Sequence, residues 1–223
     1  MPNLAIVGYG KMGRLIDQLA AEYGFTVSAR VDIGREEALE GADVAVEFSM
    51  PSAVAGNVAK VAALRIPIVV GTTGWGECLA EVKAIVAKYD SALVWSPNFS
   101  IGVNVFTRLV AEAARLLKNE REYGAWAWEI HHITKKDAPS GTLLKLVEQM
   151  KGAGFDRPVN TSSNRAGAHP GMHEIGFDSA ADTITLRHTA RSREGFARGA
   201  LKAAQWIVGR KGFYEFSDVL FGG

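Results

Sequence analysis

Through the first hundred residues, short β-branched runs alternate with stretches whose apolar positions recur at helical spacing. Leu4–Val7 predicts a strand, and Lys11–Tyr23 follows with Leu15, Ile16, Leu19 and Ala20 on one helical face. Phe25–Val31 and Asp43–Phe48 predict further strands, and Ser52–Leu64 a helix opened by Pro51. A strand at Pro67–Val70, a helix at Glu77–Tyr89 and a strand at Ala92–Trp95 complete the alternation. Such alternation requires parallel strands joined by helical crossovers, a doubly wound sheet.

The pattern then changes. Val103–Leu117 predicts a long amphipathic helix, Ala125–Ile133 a strand with strong alternation, and Ser140–Met150 a helix. After a stretch rich in Gly, Ser and Asn, Glu174–Asp178 and Thr183–Thr189 read as antiparallel strands around a turn at 180–182. This is the pattern of an α+β domain with an open mixed sheet. A last helix, Gly195–Val208, and the tail through Leu220 are expected to close back onto the first domain. The expected division is 1–98 for the first domain, joined by 194–223, and 99–193 for the second. Linkers near Asn98–Ile101 and Thr189–Arg193 are the expected hinges.

A hydrophobic content of 48% is ample for packed cores in a chain of 223 residues. A formal net charge of +1 argues against a nucleic-acid partner, which would need a clustered excess of Lys and Arg. The single cysteine, Cys78, excludes an intrachain disulfide and reads as structural in a reducing compartment. No signal-peptide pattern opens the chain, and no apolar run approaches the ~20 residues that span a bilayer. The expectation is a cytoplasmic protein with no membrane partner.

Chemistry enters at Gly8-Tyr9-Gly10-Lys11-Met12-Gly13, a complete G-x-G-x-x-G set between the first strand and the first helix. The first glycine permits the tight turn, the second admits a pyrophosphate to the backbone, and the third lets helix and strand pack closely. The helix start offers unpaired N–H groups to phosphates. This makes the first domain a Rossmann-type dinucleotide site. Asp32, ending the second strand, has the position of the acid that binds ribose hydroxyls; capping a turn at Gly34 is its alternative role. Arg30 and Arg35 flank it and suit a 2′-phosphate, so NADH is favoured with NADPH still open. Gly71-Thr72-Thr73-Gly74 and Ser96-Pro97-Asn98-Phe99 follow the fourth and fifth strands at the same sheet edge, a placement that suits the nicotinamide side.

The densest chemistry is Glu129-Ile130-His131-His132-Ile133-Thr134-Lys135-Lys136-Asp137-Ala138-Pro139-Ser140-Gly141-Thr142. Pro139 marks a helix start, so the N–H groups of Ser140, Gly141 and Thr142 are expected to face a carboxylate. Strand alternation puts Trp126, Trp128, Ile130 and His132 on one face and Ala127, Glu129 and His131 on the other. The histidines therefore differ in role unless the strand breaks between them. A zinc site is disfavoured, since neither H-E-x-x-H nor a cysteine cluster is present. Arg165, Arg191 and Arg193 are candidates for a second carboxylate.

Together these segments resemble the 4-hydroxy-tetrahydrodipicolinate reductase family. The likeness spans the chain in order. It includes the glycine turn, Gly-Thr-Thr-Gly and Asn98-Phe99-Ser100-x-Gly102-Val103-Asn104. It also includes the complete E-x-H-H-x-x-K-x-D-A-P-S-G-T, Phe196-Ala197-Arg198-Gly199-Ala200, and Asp218-Val219-Leu220. The resemblance implies NAD(P)H-dependent reduction of 4-hydroxy-tetrahydrodipicolinate to tetrahydrodipicolinate in diaminopimelate and lysine synthesis. It implies His131 as the active-site histidine, Lys135 as the proton-donor lysine and His132 as a substrate contact. It further implies Ser140, Gly141 and Thr142 as carboxylate ligands, and Gly8 to Gly13, Asp32, Gly71 to Thr73 and Ser96 to Phe99 as cofactor residues. A homotetramer assembled through the second domain is implied too. From the residues alone, either Lys135 or His131 can protonate the carbanion left by hydride transfer. The departures bear on the cofactor: a short 32–43 stretch, Ile33 where many relatives carry arginine, and Glu47-Phe48-Ser49 in place of Asp-Phe-Thr. Two rival readings are a related dehydrogenase of another small carboxylate and a non-catalytic NAD(H)-sensing protein.

Overall fold

The computed structural model describes residues 1–222. The chain divides into two compact units, one of Met1–Ile101 with Glu194–Gly223, the other of Gly102–Arg193. The first boundary thus falls at Ile101, slightly beyond the residue 98 expected from the sequence.

The first unit is built on six parallel strands: β1 (Asn3–Val7), β2 (Thr26–Val31), β3 (Val44–Glu47), β4 (Ile68–Val70), β5 (Ala92–Trp95) and β10 (Gly212–Glu215). Their order is β10-β5-β4-β3-β1-β2, so the winding reverses between β1 and β3. Alternation in β1 sends Leu4 and Ile6 to one face and Ala5 and Val7 to the other. The first face is covered by α1 (Lys11–Ala20) and α6 (Glu194–Ile207), whose Ile16, Leu19, Ala200 and Leu201 share its core. The second is covered by α2 (Val54–Ala63) and α3 (Leu79–Lys88), through Val54, Val58, Val82 and Val86. Both faces being covered explains why β1, β3, β4 and β5 read as continuous apolar runs. The C-terminal tail adds β10 as the edge strand beside β5, and α7 (Phe216–Phe221) buries Phe216 and Val219. Among the described residues no helix is long and apolar enough to cross a membrane.

The second unit pairs a four-stranded mixed sheet with two helices, α4 (Ile101–Leu117, its first residue in the other unit) and α5 (Gly141–Gly152). Strand order is β7-β6-β8-β9, with β6 (Gly124–His131), β7 (Val159–Arg165), β8 (Met172–Asp178) and β9 (Thr183–Thr189). β7 lies parallel to β6, while β6/β8 and β8/β9 are antiparallel. Phe106 and Val110 from α4 and Leu143, Leu146 and Met150 from α5 pack on Ala125, Ala127, Ile175 and Phe177. The opposite sheet face carries Trp126 and Trp128, both half-buried. An added Cβ at Gly176 would lie 2.1 Å from the Trp126 indole, so that ring lies across the neighbouring strand. β7 falls at the start of the stretch rich in Gly, Ser and Asn, where the sequence reading assigned no element.

Candidate active site

The dinucleotide fingerprint sits where the winding reverses. Gly8 has φ +93°, and a Cβ there would fall 2.2 Å from the Phe48 carbonyl oxygen. A Cβ at Gly13 would fall 2.2 Å from the Gly8 oxygen. Packing alone dictates both glycines. Gly10 differs: its φ is −77° and a Cβ would meet nothing within 4 Å. Neither strain nor crowding inside the chain explains it. Close approach of a ligand does, which is the role of the second glycine in this motif. Gly10 N-caps α1 without a side-chain hydrogen bond, leaving the first turn open toward an anion. The residues therefore fit a dinucleotide pyrophosphate.

Around this turn the side chains are tied together. Asp32 Oδ2 accepts from the Tyr9 amide at 3.2 Å and Oδ1 from Ile33 N at 2.8 Å. Tyr9 donates its hydroxyl to Asp17. Lys11 is exposed, and Met12 packs against the α1/α6 core. At the ends of β4 and β5 the expected lining divides. Gly71 allows the Phe48 ring to cross it, since a Cβ would lie 2.1 Å from that ring. Thr72 Oγ1 accepts from Ser49 N at 2.7 Å, and Ser96 Oγ donates to the Asn98 carbonyl at 2.8 Å, so both hydroxyls hold loops. Thr73 and Pro97 are exposed, and Asn98 is half-buried. Phe99 is buried, its ring centroid 6.3 Å from Phe48 and 4.8 Å from Phe216. Its ring is part of the core.

In the second unit the site grows from the end of β6. The strand stops at His131 instead of continuing to Ile133. Ala125, Ala127, Glu129 and His131 are buried on one face, and His132 falls in the turn beyond, with Nδ1 2.7 Å from Thr134 Oγ1. The break separates the two histidines. Glu129 is fully buried and organises the rest. Its Oε1 accepts from Ser140 N at 2.9 Å, Ser163 Oγ at 2.9 Å and Arg165 Nη2 at 3.0 Å. Its Oε2 faces His131 Nδ1 at 3.3 Å and His173 Nε2 at 3.4 Å. Burial pushes the Glu129 carboxyl up, but the bonds from Ser140, Arg165 and Ser163 outweigh it, and the group sits below the usual carboxylate range. Burial also lowers His131, reinforced by Lys135, Arg165 and His132 against the pull of Glu129. His173 is depressed to about 4, first by burial and then by His131. A Cβ at Gly171, whose φ is +140°, would crowd His131 Nε2 at 2.9 Å; glycine leaves that ring room.

Lys135 Nζ bonds both oxygens of Asp137, at 2.8 and 2.9 Å, and this lysine holds the Asp137 carboxyl below its ordinary value, with a smaller contribution from the Gly141 amide. One internal carboxylate thus meets the expected proton-donor lysine and one of the expected carboxylate ligands. Ser140 is the N-cap of α5, its Oγ accepting from Leu143 N at 3.2 Å. Its own amide is committed to Glu129, which corrects the expectation that this N–H faces a ligand. Gly141 is exposed, with open space where a Cβ would stand, and Thr142 is half-buried. Arg165 also reaches the Asp137 carbonyl, so it ties β7 to β6 and to the turn before α5. Arg191 and Arg193 are exposed. Gly171 and His173 were not among the sequence candidates, and Glu129 stood in the motif without an assigned role. The β6/β8 register, which sets Glu129 opposite His173, is what brings them together. Glu129, His131 and His173 place three ligand-type atoms within 4.8 Å of one another, which local spacing did not foreshadow. Arg165 already neutralises their carboxylate.

A glycine fingerprint at the reversal point of a parallel sheet, in a chain whose other unit gathers histidine, lysine and a helix start, defines a nicotinamide-dependent oxidoreductase. The comparisons identify which kind. The family model "Dihydrodipicolinate reductase, N-terminus" matches residues 2–99, and "Dihydrodipicolinate reductase, C-terminus" matches 102–220. A 4-hydroxy-tetrahydrodipicolinate reductase of Christiangramia forsetii is 35% identical over 232 residues, covering 98% of this chain and 97% of the relative. One from Thermosipho africanus is 35% identical over 222 residues, with the same shares. A dipicolinate-bound dihydrodipicolinate reductase from Paenisporosarcina sp. TG-14 shares the fold, with TM-score 0.83 at 21% identity over 99% of this chain and all of that one. The chain belongs to the dihydrodipicolinate reductase family.

Proposed function

We propose that this chain reduces 4-hydroxy-tetrahydrodipicolinate to tetrahydrodipicolinate with a nicotinamide cofactor, NADH in preference to NADPH, in diaminopimelate and lysine synthesis. The observation that carries the reading is the cluster around Glu129. It fixes His131 and the start of α5 from one carboxylate, beside a lysine already engaged with an anionic group.

The cofactor supplies the hydride when bound, and Gly8 to Gly13 with Asp32 hold it. His131, Lys135 and His132 act on the substrate together with Gly141 and Thr142, while Ser140 shapes the helix start. A substrate carboxylate takes over from Asp137 the contacts with Lys135 and the Gly141 amide, using the positive end of α5. Lys135 then stands as a charged donor beside the developing anion, and protonation of the reduced ring follows from it. His131, held neutral near pH 7 by burial, accepts or relays a proton and is not a permanent cation. The preference for NADH rests on Asp32 and on the pairing of Arg30 and Arg35 with acids. Assembly as a cytoplasmic homotetramer is proposed through the second unit, whose outer sheet face presents Trp126 and Trp128.

Mixing the protein with freshly prepared hydroxytetrahydrodipicolinate tests this, absorbance at 340 nm being followed with each cofactor. Substrate-dependent loss of absorbance, faster with NADH at limiting cofactor, is expected. Tight cofactor binding without consumption would overturn the substrate assignment and leave the dinucleotide site standing.

A further inference from the structure

The charged residues around the end of β2 form a closed set. Arg30 bonds Asp17 of α1 bidentately, Nε to Oδ2 at 2.7 Å and Nη2 to Oδ1 at 2.8 Å. Glu37 reaches back to the same strand. Its Oε2 accepts from the Arg30 amide at 2.7 Å, and its Oε1 accepts from Arg35 Nε at 2.8 Å. Arg35 is pinned beside Asp32 by a two-way backbone bridge, at 2.8 and 2.9 Å, and its guanidinium lies 5.3 Å from the Tyr9 ring centre. Both guanidinium groups therefore have carboxylate partners, and three acids against two arginines leave the set with a net charge of −1.

We propose that Glu37 is a specificity-determining residue for the dinucleotide, keeping Arg35 from a 2′-phosphate. The inference rests on the dinucleotide reading above, and it goes past Asp32, since Asp32 alone leaves two nearby arginines to explain. A 2′-phosphate brings almost two negative charges and seeks an arginine fork. Here it meets an excess of negative charge and no open fork. The two arginines are held unequally. The Arg30–Asp17 pair has side-chain exposures of 29% and 17%, whereas Arg35–Glu37 has 46% and 36%. Glu37 is thus the acid whose loss frees a guanidinium next to the ribose position. The shortened 32–43 segment places it there, directly after the turn at Gly34.

Calorimetric titration with NADH and NADPH, without substrate, tests this. In Glu37→Gln the amide oxygen still accepts from Arg30 N. NADPH affinity is expected to rise by about two- to fivefold, in keeping with an exposed pair, while NADH affinity moves by less than about 1.5-fold. Adding Arg35→Ala to Glu37→Gln is expected to remove the gain. Salt supplies a second readout that does not depend on the variant folding well. In the unmutated protein the NADPH/NADH affinity ratio should rise with ionic strength, as repulsion is screened. A ratio that falls with salt, or a ratio unchanged by Glu37→Gln at unchanged melting temperature, overturns the proposal. Preference for NADPH in the unmutated protein contradicts the NADH reading alone, because the change of ratio on Glu37→Gln is judged separately.

Discussion

Glu129 has more hydrogen-bonding obligations than any histidine or lysine near it. Three donors converge on one of its oxygens and two imidazoles face the other, around a carboxylate that is itself fully buried. Glu129→Gln keeps the shape but leaves Arg165 opposite a neutral amide. Removing one partner from a buried charged pair costs about 3–5 kcal/mol. Urea unfolding should show that loss, and kcat should fall with little change in KM because His131 loses its orienting charge. Full stability with a raised KM would instead make Glu129 a substrate ligand. For Lys135→Ala the expected loss is in kcat, about 10²–10⁴-fold. Steady-state kinetics in which KM rises and kcat holds would leave Lys135 a binding residue only. Glu129 and His131 were legible as neighbours from strand alternation. His173 was not, because its place opposite Glu129 depends on a strand pairing between residues 44 apart, and no local pattern encodes that register.

At the scale of elements, the glycine turn separates what folding requires from what binding requires. Gly13→Ala would press a methyl group against the Gly8 carbonyl, so it should lower the melting temperature or prevent folding. Gly10→Ala adds a methyl to open space at ordinary φ, so the melting temperature should stay within a degree or two while dinucleotide affinity falls. Calorimetry with differential scanning fluorimetry distinguishes the two, and equal affinity in Gly10→Ala would remove the ligand explanation for that glycine. In the first unit β1, β3, β4 and β5 were readable because both sheet faces are covered there, which forces unbroken apolar runs, whereas β10 and α7 were read only as a tail. β7 was not, since Asn160, Thr161 and Ser162 are exposed and only backbone pairing with β6 makes Val159–Arg165 a strand. The early end of β6 was equally hidden. Ile133 continues the apolar alternation but is exposed, and its amide bonds the Gly167 carbonyl outside the sheet.

Across the whole molecule, chain order and unit order differ: the last thirty residues complete the first unit, while the buried histidines all lie in the second. That distribution predicts an uneven response to acid. His131, His173 and His188 are each lowered by burial, His173 to about 4 against an ordinary 6.5. Because the unfolded chain binds protons at a higher pH than the folded one, these histidines favour the folded state fully above about 6.5. That contribution drains away as pH falls toward 4. The charges facing them are Glu129, Lys135, Arg165 and His132, and of these only Glu129 favours protonation. The lowered carboxylates, Asp17 and Glu37 in the first unit and Glu129 and Asp137 in the second, act in a different window: their contribution is present above the ordinary carboxylate range and lost below it. Between pH 7 and 5, then, the histidines dominate. Hydrogen exchange read by mass spectrometry should show β6, β8 and β9 losing protection on acidification while β1, β3 and β4 keep theirs. His173→Asn should flatten part of that dependence by removing the most depressed group. Equal loss of protection in both units would mean that burial of these imidazoles does not set the acid stability, and that the carboxylates shared by both units do.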